Sequence, residues 1–288
     1  MMPLVRTCRL VSRGFLALLI GLAGGTAARA GGLQTDLAAY YHLDGNGLDA
    51  SGNGLNLSLV GNPSFGTGLF GEALSLQGND SQYATRPGDD AALNFGSSDF
   101  AIQVWVNFNQ FGGRLEQTLI EKFSGQAGPG WTLTTPFGDS LLFYGQGIPN
   151  VSAPISFTPD TWYQIIAERS GSTLSLYLDG SLLASTANVV GSIDPSSNPL
   201  LIGRRDAQDG RNFGVNGRLD EVAIWNRALT TSEIASLWNG GKGLLITASV
   251  PEPSSACLMG LGSLAAFWFA RRRPRPGRLG RRGGRPGA

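Results

Sequence analysis

The sequence predicts an all-β fold in which two antiparallel sheets pack face to face, as a β-sandwich or a jelly roll. Several runs alternate apolar and polar residues, the pattern of a strand with one buried face. Gly occupies 42 of the 288 positions, and many of these fall between the runs, as a fold rich in turns requires. Only one helix is clearly indicated, so each sheet must bury its apolar face against the other.

The strands follow in order along the chain. In residues 100–108, Phe100 and every second residue after it share one apolar face. Residues 162–169 and 173–179 form the next pair, and Asp179-Gly180 predicts a hairpin into residues 181–185. Shorter strands are predicted at 118–122, 131–135, 141–144, 200–203 and 219–225. Thr230 and Glu233 form a capping box that starts the helix, and Gly240 ends it.

The N-terminus has the pattern of a secretory signal peptide. Three arginines precede an uncharged Leu- and Ala-rich run at 14–28, and Ala28-Arg29-Ala30 is a small-x-small cleavage site. The alternative is a transmembrane anchor, which the shortness of the apolar run disfavours. We therefore predict cleavage after Ala30 and a signal peptide over residues 1–30.

The C-terminus combines three features in order. Val250-Pro251-Glu252-Pro253 comes first, an uncharged hydrophobic run extends to Ala270, and an arginine cluster follows at Arg271, Arg272 and Arg273. The run is compatible with a transmembrane helix, and the arginines would stay on the cytoplasmic side. A plain single-pass anchor is one interpretation.

This tripartite end resembles the PEP-CTERM sorting signal of Gram-negative bacteria, over about the last 40 residues. The resemblance implies recognition by an integral-membrane exosortase and release or transfer to the cell surface. One feature departs from the family: the chain continues from 274 to 288 as a basic, low-complexity tail.

Charge and cysteine are distributed unevenly. The net charge is +1, yet all 21 acidic residues and only ten basic ones lie between residues 31 and 270, so the middle of the chain is acidic. Nucleic-acid binding is therefore not expected of it. Cys8 and Cys257 lie in the two terminal signals, so no disulfide is expected in the domain between them.

Seven segments of the middle region resemble laminin-G-like domains, and they occur in the family's order. They are AYYHLD at 39–44, DASGNG at 49–54, FGEALSL at 70–76, FAIQVWV at 100–106, WY at 162–163, LYLDG at 176–180 and GRLDEVAIWNRAL at 217–229. The resemblance is to the laminin-G branch of the concanavalin A-like lectin/glucanase superfamily. It implies one jelly-roll domain over residues 32–246.

The sequence offers little for catalysis. Retaining glycosidases need two carboxylates about 5 Å apart, and the Glu-x-Asp-x-x-Glu pattern of the glucanase branch does not occur. Glu116 and Glu121 are five residues apart and are expected to face opposite ways in a regular strand. Neighbouring Asp220 and Glu221 are expected to do the same. His42 is the only histidine, and we expect it to be structural. No enzymatic activity is predicted; a glycan hydrolase or lyase with an unrecognised site is the alternative.

The resemblance also implies a calcium ion between the first-strand region and the last strand. Its candidate ligands are Asp220, Asp49, Asp44 and the Gly71 carbonyl, since calcium binds several oxygens. The alternative is that these side chains only make turn and buried hydrogen bonds.

A weaker prediction places a sugar or protein ligand on aromatic residues in or beside loops. These are Phe111, Trp131, Phe137, Tyr144 and Phe213. We therefore expect an exported, exosortase-processed, non-catalytic surface or matrix protein that binds exopolysaccharide or a surface protein. It would be held in the inner membrane transiently and then reach the cell surface or the extracellular space.

Overall fold

The computed structural model describes residues 32–110, 116–125, 128–206 and 212–247. The signal peptide, the sorting signal, the basic tail and Phe111 lie outside the described residues. Within them, the strands are β1 (Leu37–Tyr41), β2 (Ser58–Val60), β3 (Ser64–Thr67), β4 (Glu72–Gln77), β5 (Tyr83–Arg86), β6 (Phe100–Phe108), β7 (Glu116–Phe123), β8 (Gly130–Pro136), β9 (Ser140–Gly145), β10 (Val151–Pro154), β11 (Trp162–Ser170), β12 (Thr173–Leu178), β13 (Ser181–Thr186), β14 (Leu200–Ile202) and β15 (Asn216–Trp225).

The strands form two antiparallel sheets, as predicted. Sheet A has the order β13-β12-β11-β6-β15-β4-β3, and β1 pairs with the far half of β15. Sheet B has the order β10-β9-β8-β7-β14-β5-β2. Because neighbours such as β6 and β15 are far apart in sequence, the sandwich depends on long-range pairing and not on hairpins alone.

The main core lies between the sheets. Alternate residues of β6, from Phe100 to Phe108, point into it, and Trp131 and Phe143 of sheet B face them. A second, smaller apolar cluster covers the outer face of sheet A, where α1 (Thr231–Trp238) packs over Trp225 and Ile166. This covering layer explains why β6, and β15 from Leu219 onward, are buried on both sides.

The predicted capping box begins α1. Thr230 accepts a hydrogen bond from the Glu233 amide at 3.2 Å, and the Glu233 carboxylate accepts one from the Thr230 amide at 2.8 Å. Asn239 ends the helix in the left-handed conformation, one residue before the predicted Gly240. Among the described residues, no helix is both long and apolar enough to cross a membrane.

Two β-bulges change which faces the acidic residues occupy. In β7 the register against β8 shifts between Thr118 and Ile120, so Glu116 and Glu121 lie on the same side. In β15 the register against β6 shifts between Asp220 and Ala223, and Glu221 has a φ of +49°. The prediction that each pair of acids would point oppositely is therefore wrong, because an inserted residue re-aims the side chains that follow it.

Candidate functional site

Three elements meet at one corner of sheet A, which we call the acid corner. It comprises His42 and Asp44 after β1, the β3–β4 hairpin at residues 68–71, and Asp220 and Glu221 in the bulge of β15. The bulge falls where β15 stops pairing with β4, at Leu219, and starts pairing with β1, at Val222. The change of partner leaves backbone groups of the hairpin free to bond to side chains.

Asp220 holds the hairpin. Its Oδ2 accepts hydrogen bonds from the amides of Leu69 at 2.7 Å and Phe70 at 3.4 Å, and its Oδ1 accepts one from the Glu221 amide at 2.9 Å. Burial, together with the nearby charge of Glu221, raises the pKa of Asp220 to about 8. The side chain thus acts as an acceptor in a site that disfavours its negative charge.

Glu221 is the second buried carboxylate of the corner. It accepts a hydrogen bond from the Tyr40 hydroxyl and lies 3.0 Å from Nδ1 of His42. This hydrogen bond raises the pKa of His42 against the opposing effect of its partial burial. Among the described residues, no Lys or Arg lies within ion-pair distance of Asp220 or Glu221, so His42 is the side chain that can compensate their charge.

The four predicted calcium ligands do not all come together. Asp44 approaches the same hairpin as Asp220, because its Oδ1 accepts the Glu72 amide at 2.6 Å and lies close to Gly71. The Gly71 carbonyl accepts the Gly68 amide at 3.1 Å. Asp49 instead organises its own loop by accepting the amides of Tyr40, Ser51 and Leu55.

The donor set of the acid corner fits a cation only in part. Asp44 and Asp220 supply carboxylates and Gly71 a carbonyl, which are ligands that calcium prefers. The described residues contain no group of three or more His, Cys, Asp and Glu side chains that could hold a metal ion. Remaining ligands would have to be carbonyls and water, and Asp49 fits the turn role better than the metal role.

A second polar cluster lies on the outer face of sheet B, and we call it the arginine clamp. Arg205 forms a bidentate pair with Glu116, with two N–O distances of 2.6 Å, and its Nε lies 3.2 Å from Glu121. Its guanidinium also stacks over Phe213 at 5.2 Å. Burial raises the pKa of Glu121 to about 7, although the charge of Arg205 opposes this. Because Arg205 occupies both carboxylates, they are not free to flank a glycosidic bond.

The predicted aromatic ligand residues separate into two groups. Trp131 is 0% exposed in the core, where it donates from Nε1 to the Leu93 carbonyl at 2.9 Å, and Phe213 is 2% exposed beneath Arg205. Both predictions are wrong, because a buried ring offers no face to a ligand. Tyr144 is half-buried on β9, where its hydroxyl bonds to Gln146.

Phe137, by contrast, is 69% exposed at the tip of the β8–β9 hairpin. It has a φ of +54°, followed by +72° at Gly138, and the Asp139 amide closes the turn onto the Pro136 carbonyl at 3.4 Å. Positive φ at both central positions belongs to type I′ turns, where Asn-Gly is strongly preferred. A bulky aromatic residue here costs stability and exposes its ring to solvent.

The family model of the concanavalin A-like lectin/glucanases superfamily matches residues 77–235, more than half of the chain. The chain belongs to this superfamily. A second family model, the PEP-CTERM protein-sorting motif, matches residues 249–273, which include the predicted signal at 250–273. The predicted sites at Val250–Pro253, Arg271–Arg273, Ala28 and Ala30 lie outside the described residues and stay predictions.

Solved structures with this fold include several binding domains. The binding domain of Paraclostridial Mosquitocidal Protein 1 is 19% identical, with a TM-score of 0.58 over 72% of this chain and 53% of that one. Domain 4 of AbnA, a GH43 extracellular arabinanase from Geobacillus stearothermophilus solved with arabinotriose, is 18% identical, with a TM-score of 0.54 over 69% of this chain and 97% of that one.

The Botulinum Neurotoxin serotype G binding domain is 17% identical, with a TM-score of 0.54 over 71% of this chain and 51% of that one. This chain thus spans about half the length of the two toxin domains. No curated protein matches the chain. At these identities the likeness shows the fold alone.

Sequence reasoning missed the residues that organise both clusters. Arg205 lies more than 80 residues from the two glutamates it clamps, and Tyr40 lies 181 residues from Glu221. No local pattern marks either contact. Asp220 and Glu221 do carry a sequence signal, because they lie in the segment at 217–229 that resembles laminin-G-like domains.

Proposed function

We propose that this chain is an exported, non-catalytic surface or matrix protein whose sandwich domain binds carbohydrate or protein. The observation that carries the proposal is Phe137, an exposed ring held at a hairpin tip in a backbone conformation that disfavours it. Such residues persist where the strain serves a function, and exposed aromatic rings are the groups on which ligands stack.

The printed names of the structural neighbours support a binding role. Two are binding domains of toxins, and the arabinanase domain was solved with arabinotriose, which supports a sugar as the ligand class. The sorting motif supports export and processing by an exosortase. An exported protein meets the exopolysaccharide and the surface proteins of the producing cell, so we take one of these as its ligand.

A non-catalytic role is supported by the arginine clamp. Glu121 is fully buried, and Arg205 forms ion pairs with both Glu121 and Glu116. A glycosidase requires one carboxyl group as the acid and the other as nucleophile or base, both facing the sugar. Release of reducing sugar from the polysaccharide by the purified protein would instead support the hydrolase alternative.

A structural calcium at Asp44, Gly71 and Asp220 is part of the proposal. Among the residues that the structure describes, two buried acids have only His42 as a compensating partner, which favours uptake of a cation, either a proton or a metal ion. Calcium bound there would hold the β3–β4 hairpin against β15. This role is structural, and the proposed binding at Phe137 does not depend on it.

Capture on the producer's exopolysaccharide tests the ligand proposal. Phe137→Ala should raise the Kd for the matrix roughly 30-fold, the effect of losing a binding hot spot worth about 2 kcal/mol, and so lower the retained fraction. Val190→Ala is the matched control, because Val190 is also apolar and 76% exposed. Periodate treatment of the matrix should abolish capture if the ligand is sugar, and protease treatment if it is protein. Equal retention of both variants would refute a role for Phe137.

A further inference from the structure

The last described segment of the chain, residues 243–247, is held firmly on the outer face of sheet A. Ile246 is 4% exposed and belongs to the apolar cluster of Leu37, Trp225 and Leu237. Its amide donates to the Tyr40 hydroxyl at 3.2 Å, and its carbonyl accepts from Nε2 of Gln34 at 3.5 Å. Backbone and side chain of Ile246 are therefore both fixed.

Tyr40 is well suited to hold this amide. Burial and the neighbouring charge of Glu221 raise the pKa of Tyr40, so the hydroxyl stays protonated. Its hydrogen is donated to Glu221, which leaves the oxygen lone pairs to accept the Ile246 N–H. His42 holds the other oxygen of Glu221 and so fixes the carboxylate.

The start of the segment lies close to the β3–β4 hairpin. Gly243 has a φ of +70°, and a Cβ added there would lie 2.6 Å from Cδ2 of Leu69. Leu69 belongs to the β3–β4 hairpin, and the Leu69 amide donates a hydrogen bond to Asp220. Asn239 also donates to the Gly243 carbonyl at 2.9 Å. Glu221 thus holds the segment at Ile246 through Tyr40, while the start of the segment packs close to the hairpin that Asp220 fixes.

The N-terminal end of the domain reaches the same place. The Leu33 carbonyl accepts from Nε1 of Trp225 at 2.6 Å, and the Thr35 carbonyl accepts from Nε of Arg227 at 2.8 Å. Leu33 lies three residues after the predicted signal cleavage, and Ile246 lies three residues before the sorting motif at 249–273. Both processed ends therefore leave the fold from one corner.

The tether between the fold and the membrane signal is short. Residues 247–253 separate Ile246 from the hydrophobic run, and seven extended residues span at most about 25 Å. Ile246 can therefore be no farther than about 25 Å from the start of the hydrophobic run while the sorting signal is in place. Phe137 lies on sheet B, the other layer of the sandwich.

We propose that Tyr40, Glu221 and Ile246 form a latch that fixes the exit point of the sorting motif, so that this face of the folded domain abuts the membrane peptidase that reads the motif. The inference rests on the proposed export and sorting. The latch holds residues 244–247 against the fold, so they do not add to the length of the tether. The Phe137 hairpin belongs to sheet B, and sheet A is the layer that would face the membrane. Tyr40 then restrains processing, because it keeps the tether short.

Tyr40→Phe in the full-length chain, expressed in the producing bacterium, tests the latch. Tyr41→Phe is the matched control, because Tyr41 is equally buried on the same strand and its hydroxyl donates to the Leu55 carbonyl at 2.8 Å, away from Ile246. Hydrogen exchange of the released protein should show the Ile246 amide exchanging at least 10-fold faster in Tyr40→Phe, with wild-type protection in Tyr41→Phe.

Pulse-chase labelling measures C-terminal processing in the same strains. Tyr40→Phe should be processed several-fold faster, because the freed segment lengthens the tether, whereas Tyr41→Phe should keep the wild-type rate. Insertion of Gly-Ser-Gly after Thr247 lengthens the tether without touching the latch and should give the same acceleration, even if Tyr40→Phe folds poorly. Wild-type protein that keeps its C-terminus would overturn the sorting proposal itself. Cleaved wild type with identical rates in all variants would overturn the latch alone.

Discussion

Replacing Glu121 by Gln should change how stability depends on pH. Burial raises the pKa of Glu121 to about 7 in the folded protein, against an ordinary value of 4.5. The folded state therefore binds this proton more tightly than the unfolded state does. Stability is unaffected by Glu121 below the ordinary pKa and falls as pH rises from about 4.5 to about 7.

The magnitude follows from the same two values. They differ by about 2.5 pH units, and each unit corresponds to about 1.4 kcal/mol, so the ionisation of Glu121 costs the wild type about 3 kcal/mol between pH 4 and pH 8. Glu121→Gln lacks this cost. Relative to wild type, the variant should gain about 3 kcal/mol over that pH range, whatever its stability at pH 4.

Urea unfolding at several pH values, followed by the fluorescence of the buried tryptophans, measures the difference. Glu233→Gln is the control of opposite sign. Burial raises the pKa of Glu233, but the hydrogen bonds from Arg227 and Thr230 outweigh that effect and lower it, so this variant should lose more stability at pH 8 than at pH 4. A constant difference between Glu121→Gln and wild type across the range would show that Glu121 has the same pKa in the folded and unfolded states and that the argument from burial fails.

Three further predictions concern the core, the hairpin tip and the acid corner. Trp131→Ala should lower the free energy of unfolding by about 3–5 kcal/mol, measured by chemical denaturation, because it leaves a cavity against Phe95 and Phe143. If the variant lost ligand binding but kept its stability, Trp131 would be a ligand residue and not a core residue. Phe137→Asn should raise the melting temperature by about 2–4 °C, since Asn relieves about 1 kcal/mol of left-handed strain; calorimetry showing a lower melting temperature would mean the ring packs. After bound metal has been removed with a chelator, added calcium should raise the melting temperature of wild type more than that of Asp220→Asn. An equal increase in both proteins would mean that calcium does not bind at Asp220 and that a proton is the cation taken up at the acid corner.

Local patterns were enough for most of the secondary structure. The alternation from Phe100 to Phe108 identified β6 residue for residue, because a strand with one core-facing side must repeat every two residues. The Thr230–Glu233 capping box identified the start of α1, because both bonds close within one turn. The same reasoning failed for the faces of Glu116 and Glu121, because a bulge depends on the pairing partner and leaves no mark in the alternation.

The sequence by itself determined the sandwich, its resemblance to the laminin-G branch and the three-part sorting signal at the C-terminus. These depend on composition and spacing within short windows, where neighbouring residues constrain one another directly. Only the tertiary structure decided that Arg205 closes over two glutamates, that Trp131 is core while Phe137 is surface, and that Tyr40 holds Ile246 across 206 residues of sequence. The Arg205 and Trp131 contacts join residues that are distant in sequence, so no short window contains them. The Tyr40–Ile246 contact lies beside the bulge where β15, still paired with β6, changes its other partner from β4 to β1 and buries Asp220 and Glu221.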